Sequence, residues 1–314
     1  MSSTKYSPIL KWAGGKNDLL SHIFHLFPKV IHHYYEPFLG GGSILIHLLQ
    51  QIENENIQLL GEIHVNDKNQ HLIHLYQTIQ EDADALITLL QEYQTIYHET
   101  QMNIYPSKFD FSTLIGQTHS LQDCVPHGKQ LIYYFLKHRF NHIELSKTEK
   151  SAIFLFLNKT CFRGLYRENK KGEMNVPFGN YEKPNICPTE LIQNLHTLFL
   201  KYPVTFHNLD YQTFLQRDFT PQDFIYADPP YYPIDKNTFV AYQGDGFHQQ
   251  EHETLMNLLI ELKRKRIRWV LSNHKCDFID EKFPDDYKIV ISAKRRIHSK
   301  NPESKVDEYL VYSF

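Results

Sequence analysis

The chain has 314 residues, 41% of them hydrophobic and 22% charged, so it is long enough for one large globular domain or two. No apolar run approaches the roughly 20 residues that a membrane span needs, and the amino-terminal sequence lacks the basic and apolar regions of a secretory signal. The formal net charge of −3 argues against nucleic-acid binding through overall positive charge, but it leaves a local basic groove open.

The cysteines and histidines give no sign of a metal centre. The four cysteines are scattered without a CxxC motif, and the 19 histidines form no HExxH motif or His/Cys cluster at metal spacing. Free thiols in a reducing cytosol are the simplest interpretation. We therefore expect a cytoplasmic protein with no metal and no membrane association.

The first 75 residues predict the start of an α/β unit. A short strand in YYEPF is followed by the glycine-rich LGGGS and by a buried helix in ILIHLLQQI. A second strand, IHVND, ends on Asp67, and QHLIHLYQTIQ is a second helix. This order of strand, glycine-rich turn, helix and strand is typical of a parallel sheet.

The middle of the chain interrupts this alternation. Residues from about 76 to 185 are predicted to be mainly helical, and they end in RGLYRENKKGEMNVPFGNY, where Asn169 to Gly172 centre a β-hairpin or an ordered loop. The α/β order resumes with strands in VTFHNLD, DFIYADPP, WVLSNH, KIVISAK and EYLVYSF and a helix in HQQEHETLMNLLIELKRKR. The pattern indicates an α/β domain split by a helical insertion.

The glycine-rich turn from Phe38 to Gly42 lies between a strand and a helix. Glycines there let the backbone approach a ligand closely, and the helix amino terminus offers free N–H groups. The turn matches neither GxGxxG nor GxxxxGK[ST], which argues against a dinucleotide cofactor and against ATP hydrolysis. Asp67, after the next strand, could accept hydrogen bonds from ribose hydroxyls, and Glu36 is a second acid beside the turn. A nucleoside-containing ligand is favoured over a plain tight turn.

The segment FIYADPPYY, from Phe224 to Tyr232, has the composition of a strand that ends in a stiff turn. The Asp228 carboxylate, the Pro229 carbonyl and the Tyr231 ring could together hold a planar amino-heterocycle, with its nitrogen lone pair aimed at an electrophile. A structural turn capped by aromatic rings is the alternative, and the pattern assigns no role to Tyr232.

Six motifs occur in a fixed order: LKWAGGK, YEPFLGGGS, NDKN, LNKTCFRGLYRENKKGEMNVPFGNY, LDYQTF and ADPPYY. Together they resemble the DNA adenine-N6 methyltransferases of the GATC-methylating, D12-class, alpha-group type. The resemblance implies a Rossmann-like S-adenosylmethionine-dependent fold, with a mostly parallel seven-stranded sheet and helices on both faces. It also implies a catalytic domain at 1–75 and 186–314 and a mainly helical target-recognition domain at 76–185.

The resemblance implies S-adenosylmethionine as the cofactor and a flipped-out adenine as the target. The DPPY residues would hold the adenine: Asp228, Pro229, Pro230 and Tyr231. The cofactor would meet these residues: Trp12, Lys16, Glu36, Pro37, Phe38, Gly40, Gly42, Asp67, Asp210 and Tyr211. In this interpretation Asp67 takes the ribose hydroxyls, and Asp210 meets the cofactor adenine with Tyr211 beside it.

The segment near 162–181 resembles the family's DNA-reading hairpin, which makes double-stranded DNA the expected partner. The positions implied in DNA binding are Phe162, Arg163, Arg167, Lys170, Lys171, Asn175, Pro177, Asn180 and, near the carboxyl terminus, Arg296. Arg167 would read a guanine, Phe162 would wedge between bases, and the lysines would touch phosphates. Arg163 and Asn180 depart from the residues usual in GATC-specific members, so the recognition sequence need not be GATC.

Two other functions fit part of the pattern. A cytosine-N4 methyltransferase also uses an exocyclic amine as the nucleophile, but serine more often leads its motif, so Asp228 favours adenine. A catalytically silent, cofactor-sensing DNA-binding protein is disfavoured by the intact Asp228 and Tyr231. The resemblance leaves open whether a cognate restriction endonuclease is a functional partner, without physical association.

Overall fold

The structure is a computed structural model that describes residues 6–103, 105–106, 109–233, 247–284, 287–294 and 305–314. The chain divides into two compact units. The sheet unit comprises Gly14–Lys68 and Tyr202–Phe314, and the helical unit comprises Met1–Ala13 and Asn69–Lys201. The helical unit is therefore longer at both ends than the predicted insertion at 76–185, and it includes the start of the chain.

Nine strands lie in the described part of the chain. They are β1 Val30–Ile31, β2 Tyr34–Glu36, β3 Gln58–Leu59, β4 Ile63–Asn66, β5 Val204–His207, β6 Phe224–Ala227, β7 Arg268–His274, β8 Tyr287–Lys294 and β9 Lys305–Tyr312. Seven of them form one sheet in the order β5-β4-β2-β6-β7-β9-β8, while β1 and β3 form a small parallel pair. In the large sheet the five strands β5, β4, β2, β6 and β7 run parallel, and β9 is antiparallel to both β7 and β8. This arrangement confirms the predicted mostly parallel seven-stranded sheet.

Helices are numbered along the chain through both units. Those of the sheet unit are α1 Leu20–His25, α2 Ser43–Glu53, α10 Tyr211–Leu215, α11 Gln249–Arg264 and α12 Asp277–Lys282. Successive strand residues point to opposite faces of a sheet. On one face Ile225 and Trp269 pack in a buried cluster with residues of α10, α11 and α12. On the other face Phe224 and Tyr226 lie against the ring of Phe27, at centroid distances of 4.6 and 6.0 Å.

The strand order creates a switch point between β2 and β6. From β2 the chain moves outward to β4 and β5, and it returns to β6 and β7 on the other side of β2. The connections that leave the carboxyl ends of β2 and β6 therefore diverge. In open α/β sheets ligands bind in the crevice at such a point, so the turns after β2 and β6 are the first place to look for a site.

The helical unit is built around a helix that is buried over most of its length. Its helices are α3 Gln70–Glu81, α4 Ala83–Glu99, α5 Ser112–Gly116, α6 Leu121–Cys124, α7 Lys129–His142, α8 Lys147–Thr160 and α9 Thr189–Lys201, with 3₁₀ turns at Val125–His127 and Phe162–Gly164. Every residue from Ser151 to Asn158 of α8 is buried, and α8 packs against α3, α4 and α7. A helix that is apolar on all sides must lie inside such a bundle.

None of the described helices combines the length and apolar character that a membrane crossing needs. The four cysteines are all free thiols.

Asn158 ties the start of the chain to the helical unit. Its Oδ1 accepts a hydrogen bond from the Lys11 N–H at 3.0 Å, and its Nδ2 donates to the carbonyls of Lys11 and Gly164 at 2.9 and 3.1 Å. The ammonium of Lys159 donates to the Ile9 carbonyl at 2.5 Å. These bonds satisfy backbone groups of a segment that has no regular structure of its own.

Replacing Asn158 by alanine should lower the free energy of unfolding by about 2–3 kcal/mol, because three hydrogen bonds are lost and buried backbone groups are left unpaired. Urea unfolding followed by circular dichroism measures the change. Asn185→Ala, at an exposed position, is the matched control and should be nearly neutral. Equal stability of Asn158→Ala and the control would show that Asn158 does not hold the segment.

Candidate functional site

The turn after β2 approaches the end of β4 through its glycines. Gly40 and Gly42 have φ values of +50° and +72°, in the left-handed region that favours glycine. The Gly40 N–H donates to Asp67 Oδ2 at 2.9 Å, and the Leu39 N–H donates to the Asn66 carbonyl at 2.8 Å. The carboxylate predicted to take ribose hydroxyls therefore also shapes the glycine-rich turn, and Pro37 and Phe38 form the start of that turn.

Asn66 fastens this turn to the one after β5. It is 1% exposed at the carboxyl end of β4. Its Nδ2 donates to the carbonyls of Pro37 and Leu209, each at 3.1 Å, and its Oδ1 accepts from the Leu209 N–H at 2.9 Å. Sequence reasoning missed this residue, because its partners are 29 and 143 positions away. Its place directly before Asp67 at a strand end was the available signal.

Glu36, the last residue of β2, is fully buried. Its Oε2 accepts the Tyr34 hydroxyl at 2.9 Å. Burial raises the pKa of Glu36 well above its usual range, the Tyr34 hydrogen bond opposes this, and the carboxylates of Asp228 and Asp67 add to the rise. A cationic ligand beside Glu36 would favour its ionised form.

The turn after β6 presents a carboxylate with unequal oxygens. Asp228 Oδ2 forms an ion pair with Lys16 Nζ at 2.8 Å, whereas Oδ1 is buried and has no hydrogen-bond partner in the described structure. Pro229 beside it is buried and Pro230 is exposed. Burial raises the pKa of Asp228, and the Lys16 ammonium lowers it. An unpaired buried acceptor is costly, so it indicates a place for a donor from a ligand.

Tyr231 is held at both ends of its side chain. Its hydroxyl donates to Glu308 Oε2, from β9, at 2.8 Å, and its ring meets the His274 ring edge-on at 4.8 Å. The Lys16 ammonium lies 4.7 Å from the ring centroid. Burial raises the pKa of Tyr231 well above its usual range, and the carboxylates of Asp228 and Glu308 add to this, so the hydroxyl stays protonated and remains a donor.

Tyr232, the next residue, packs against Phe278. Its ring stacks on Phe278 with centroids 4.2 Å apart and planes 5° apart. Its N–H donates to Oδ1 of Asn273, a buried residue of β7 that also accepts the His274 N–H. Asn273 therefore anchors the turn that carries Tyr231. Sequence reasoning missed both Asn273 and Glu308, since each acts on a segment distant in sequence.

Three aromatic rings surround the approach to the glycine-rich turn. Phe38, Tyr211 and Phe247 have centroids 5.3 to 5.7 Å apart. The Tyr211 hydroxyl donates to Glu251, at the start of α11, and Asp210 is exposed and accepts the Gln212 N–H at 2.9 Å. The sheet unit thus carries every predicted cofactor position except Trp12. Trp12 belongs to the helical unit, where its ring stacks on Tyr166 at 5.5 Å.

The segment after α8 forms an irregular antiparallel hairpin. Its ladder consists of isolated bridges, Cys161 with Phe178 and Glu168 with Met174. Its tip closes with the Gly172 N–H donating to the Asn169 carbonyl at 3.0 Å. Asn141 of α7 exchanges two hydrogen bonds with the backbone of Met174, at 2.9 and 3.1 Å. The hairpin is therefore fixed to the helical bundle beside its tip.

The predicted DNA-contacting side chains lie on this hairpin. Arg167 Nε donates to Asn175 Oδ1 at 2.8 Å, and the Arg163 guanidinium lies 5.1 Å from the ring centroid of Phe162, which is 47% exposed. Exposed positions also include Lys170, Lys171, Pro177 and Asn180. Arg163 and Asn180 have positive φ values of 59° and 55°. Arg296 lies outside the described residues.

Histidines and acids also gather at the opposite, amino ends of the strands. In each group the candidate ligand atoms lie within 4.8 Å of one another; the groups are His32, His33 and Asp223, and His33, Glu62 and His64. Backbone groups already use several of these atoms. Asp223 accepts the His33 and Thr220 N–H groups, and His33 Nδ1 accepts the Glu62 N–H. These hydrogen bonds account for the clustering, because they hold the backbone where the strands begin.

Comparison with known proteins gives a consistent result. A family model of the D12 class N6 adenine-specific DNA methyltransferases matches residues 12–297. The chain is 30% identical to the type II methyltransferase M.MjaIII of Methanocaldococcus jannaschii, over 98% of this chain and 99% of that protein. It is 30% identical to the DNA adenine methylase of Haemophilus influenzae, over 96% and 91%, and 27% identical to that of Escherichia coli K12, over 98% and 95%.

Asn66→Ala should lower the free energy of unfolding by about 2–3 kcal/mol, because it unpairs the backbone of two turns at the carboxyl edge. It should also weaken ligand binding at the glycine-rich turn, since Pro37 and Leu209 lose their shared anchor. Chemical denaturation and calorimetric titration measure the two effects. Asn257→Ala, at an exposed position of α11, should change neither. Wild-type stability of Asn66→Ala would contradict this expectation.

Proposed function

Because the chain belongs to the family of D12 class N6 adenine-specific DNA methyltransferases, we propose that it transfers a methyl group from S-adenosylmethionine to N6 of an adenine flipped out of a short duplex sequence. One observation carries the assignment of the site: the buried Asp228 Oδ1, which has no hydrogen-bond partner among the described residues and lies at the carboxyl end of β6. An exocyclic amine has the N–H that this oxygen lacks.

The cofactor proposal is supported by the chemistry of the turns after β2 and β4. Glu36 is a buried acid on which no cation among the described residues acts, so it suits a cationic ligand, and the Asp67 carboxylate suits ribose hydroxyls. S-adenosylmethionine would supply a sulfonium-bound methyl group as the electrophile. The residues proposed to hold it are Trp12, Lys16, Glu36, Pro37, Phe38, Gly40, Gly42, Asp67, Asp210 and Tyr211.

The target adenine is proposed to bind at the turn after β6. Asp228 Oδ1 would accept one N6 hydrogen and the Pro229 carbonyl the other, while Pro230 stiffens the turn and the Tyr231 ring supplies a stacking surface. These contacts aim the nitrogen lone pair away from the carboxylate and need no strong base. Unpairing the base costs a few kcal/mol, which stacking of about 1–3 kcal/mol partly offsets.

The hairpin is proposed to read the DNA sequence. In the protein alone Arg167 donates to Asn175; on DNA the guanidinium would instead meet a guanine, and Phe162 would wedge between bases. Lys170 and Lys171 would contact phosphates, with Pro177, Asn180, Arg163 and Arg296 as further DNA contacts. Because Arg163 and Asn180 differ from the GATC pattern, we propose a short adenine-containing site that need not be GATC.

A role in restriction–modification is proposed from the relatives. M.MjaIII and M1.LlaDCHI, from Lactococcus lactis, are both named type II methyltransferases, and M1.LlaDCHI is 27% identical over 98% of this chain. A cognate restriction endonuclease would then be a functional partner that cuts the same sequence when it is unmethylated.

The activity is tested by incubating the protein with radiolabelled S-adenosylmethionine and duplex DNA, digesting the DNA and separating the nucleosides. We expect label in N6-methyl-2′-deoxyadenosine. Label in N4-methyl-2′-deoxycytidine would identify a cytosine-N4 methyltransferase, and DNA binding without label would identify a silent binding protein. Mapping modified bases across a genome would give the recognition sequence.

Asp228→Ala should abolish methyl transfer, because the amine loses its carboxylate acceptor, while cofactor binding at the other turns stays largely intact. Single-turnover transfer and equilibrium binding of labelled S-adenosylmethionine measure the two properties. Asp218→Ala, at an exposed position of the same unit, should retain both. An Asp228→Ala variant that still methylates adenine would disprove the proposed acceptor.

Arg167→Ala should reduce discrimination between the cognate sequence and one with a changed guanine by about 1–3 kcal/mol. Lys170→Ala should instead weaken binding to all sequences about equally and lessen its salt dependence. Competition binding on paired duplexes separates the effects. Unchanged discrimination in Arg167→Ala would remove this residue from sequence reading.

A further inference from the structure

The two oxygens of Asp228 have different surroundings. Lys16 Nζ holds Oδ2 at 2.8 Å, whereas Oδ1 is buried without a hydrogen-bond partner among the described residues. We propose, resting on the methyl transfer proposed above, that Lys16 is a positioning residue that keeps Asp228 ionised and turns its free oxygen towards the target amine. This is a role beyond the cofactor contact assigned to Lys16 from its motif.

The ammonium of Lys16 sits in a preformed site. It has three N–H donors and faces three acceptors: the Gly14 carbonyl at 2.7 Å, Asp228 Oδ2 at 2.8 Å, and the Tyr231 ring, with its centroid 4.7 Å away. Lys16 is 4% exposed, and its N–H donates to Ser43 Oγ at 3.4 Å. Gly14, with φ +77°, makes the turn that brings its carbonyl back to the side chain. Backbone and side chain of Lys16 are therefore both fixed.

Asp228 needs this partner because its other neighbours disfavour its charge. The titratable and charged groups that act on it are Lys16, Glu36, Glu308, Tyr34, Tyr226 and Tyr231. Burial, first, and the Glu308 carboxylate raise the pKa of Asp228, whereas the charge and hydrogen bond of Lys16 lower it. Lys16 is the cation in this set. Without it the carboxyl group would hold a proton more readily and would lose acceptor capacity for the amine.

A competing explanation uses the same contacts. The Lys16 ammonium could occupy the place of the target amine in the resting protein and be displaced when the base enters. That explanation predicts that removing the ammonium helps the base to bind, whereas a positioning role predicts that its removal impairs transfer most strongly at acidic pH. The kinetics of a Lys16 variant distinguish the two.

The test compares single-turnover adenine methylation by wild type, Lys16→Met, Lys16→Arg and Lys288→Met across about pH 5 to 9. Lys288 is the matched control, because its Nζ pairs with Asp280 Oδ1 at 2.7 Å elsewhere in the sheet unit. We expect Lys16→Met to slow transfer on the order of 100-fold and to move the acidic limb of the rate profile to higher pH. Lys16→Arg should restore the limb, and Lys288→Met should not move it.

A second readout does not require activity. Thermal unfolding of Lys16→Met, Asp228→Ala and the double variant should be non-additive: the double variant should be more stable than Asp228→Ala, because the latter leaves a buried ammonium without its partner.

An unmoved acidic limb in Lys16→Met, a lower KM with unchanged kcat, or additive unfolding temperatures would overturn the proposed role of Lys16. Absence of adenine methylation by the wild-type protein would count against the proposed function instead, so the two failures are distinguishable.

Discussion

The site depends on one constraint: four parallel strands have their carboxyl ends side by side at one end of the sheet. β2, β4, β5 and β6 end together, so the four turns that follow them carry acids and glycines that are far apart in the sequence. Turns at such an edge leave backbone groups without ladder partners, and buried groups of that kind must be satisfied. Two buried asparagines, Asn66 and Asn273, do this, and they fix the positions of the turns.

The electrostatics of this edge follow from its crowding. Asp67 and Asp228 act on Glu36, and Glu308 acts on Asp228, while burial raises the pKa of Glu36 and of Asp228. Like charges in a region of low dielectric cannot all ionise without a counter-charge. Lys16 provides one positive charge within the fold, and a cationic methyl donor would provide another.

The fold class and the main site motifs were predictable because their signals are local. A strand followed by glycines and a buried helix, or a strand broken by two prolines, specifies its turn within about ten residues. The residues that hold those turns act over long sequence distances: Asn66 reaches Leu209, and Glu308 reaches Tyr231. The hydrophobic periodicity of a sequence does not reveal contacts between residues far apart in the chain. For the same reason the packing of Tyr232 on Phe278 could not be predicted.

The helical unit extends beyond the insertion predicted at 76–185 for a related reason. Residues 70–81 were correctly predicted as a helix, but their partners α8 and α9 place them with the insertion rather than with the sheet. Membership of a unit is a property of packing, and a helix with one apolar stripe does not reveal which neighbour will cover it. The hairpin showed a clear turn signal, whereas its docking through Asn141 required the folded bundle.

The assignment of Met1–Ala13 to the helical unit has a consequence for how this unit can be exchanged between related proteins. A graft confined to the segment between β4 and β5 would omit the amino-terminal segment. Asn158 and Lys159 hydrogen-bond to the backbone of that segment at Lys11 and Ile9. The transplantable module is therefore discontinuous: it must bring its own amino-terminal arm. A recombinant that keeps the helical unit whole therefore needs three crossover points: after Ala13, after Lys68 and after Lys201.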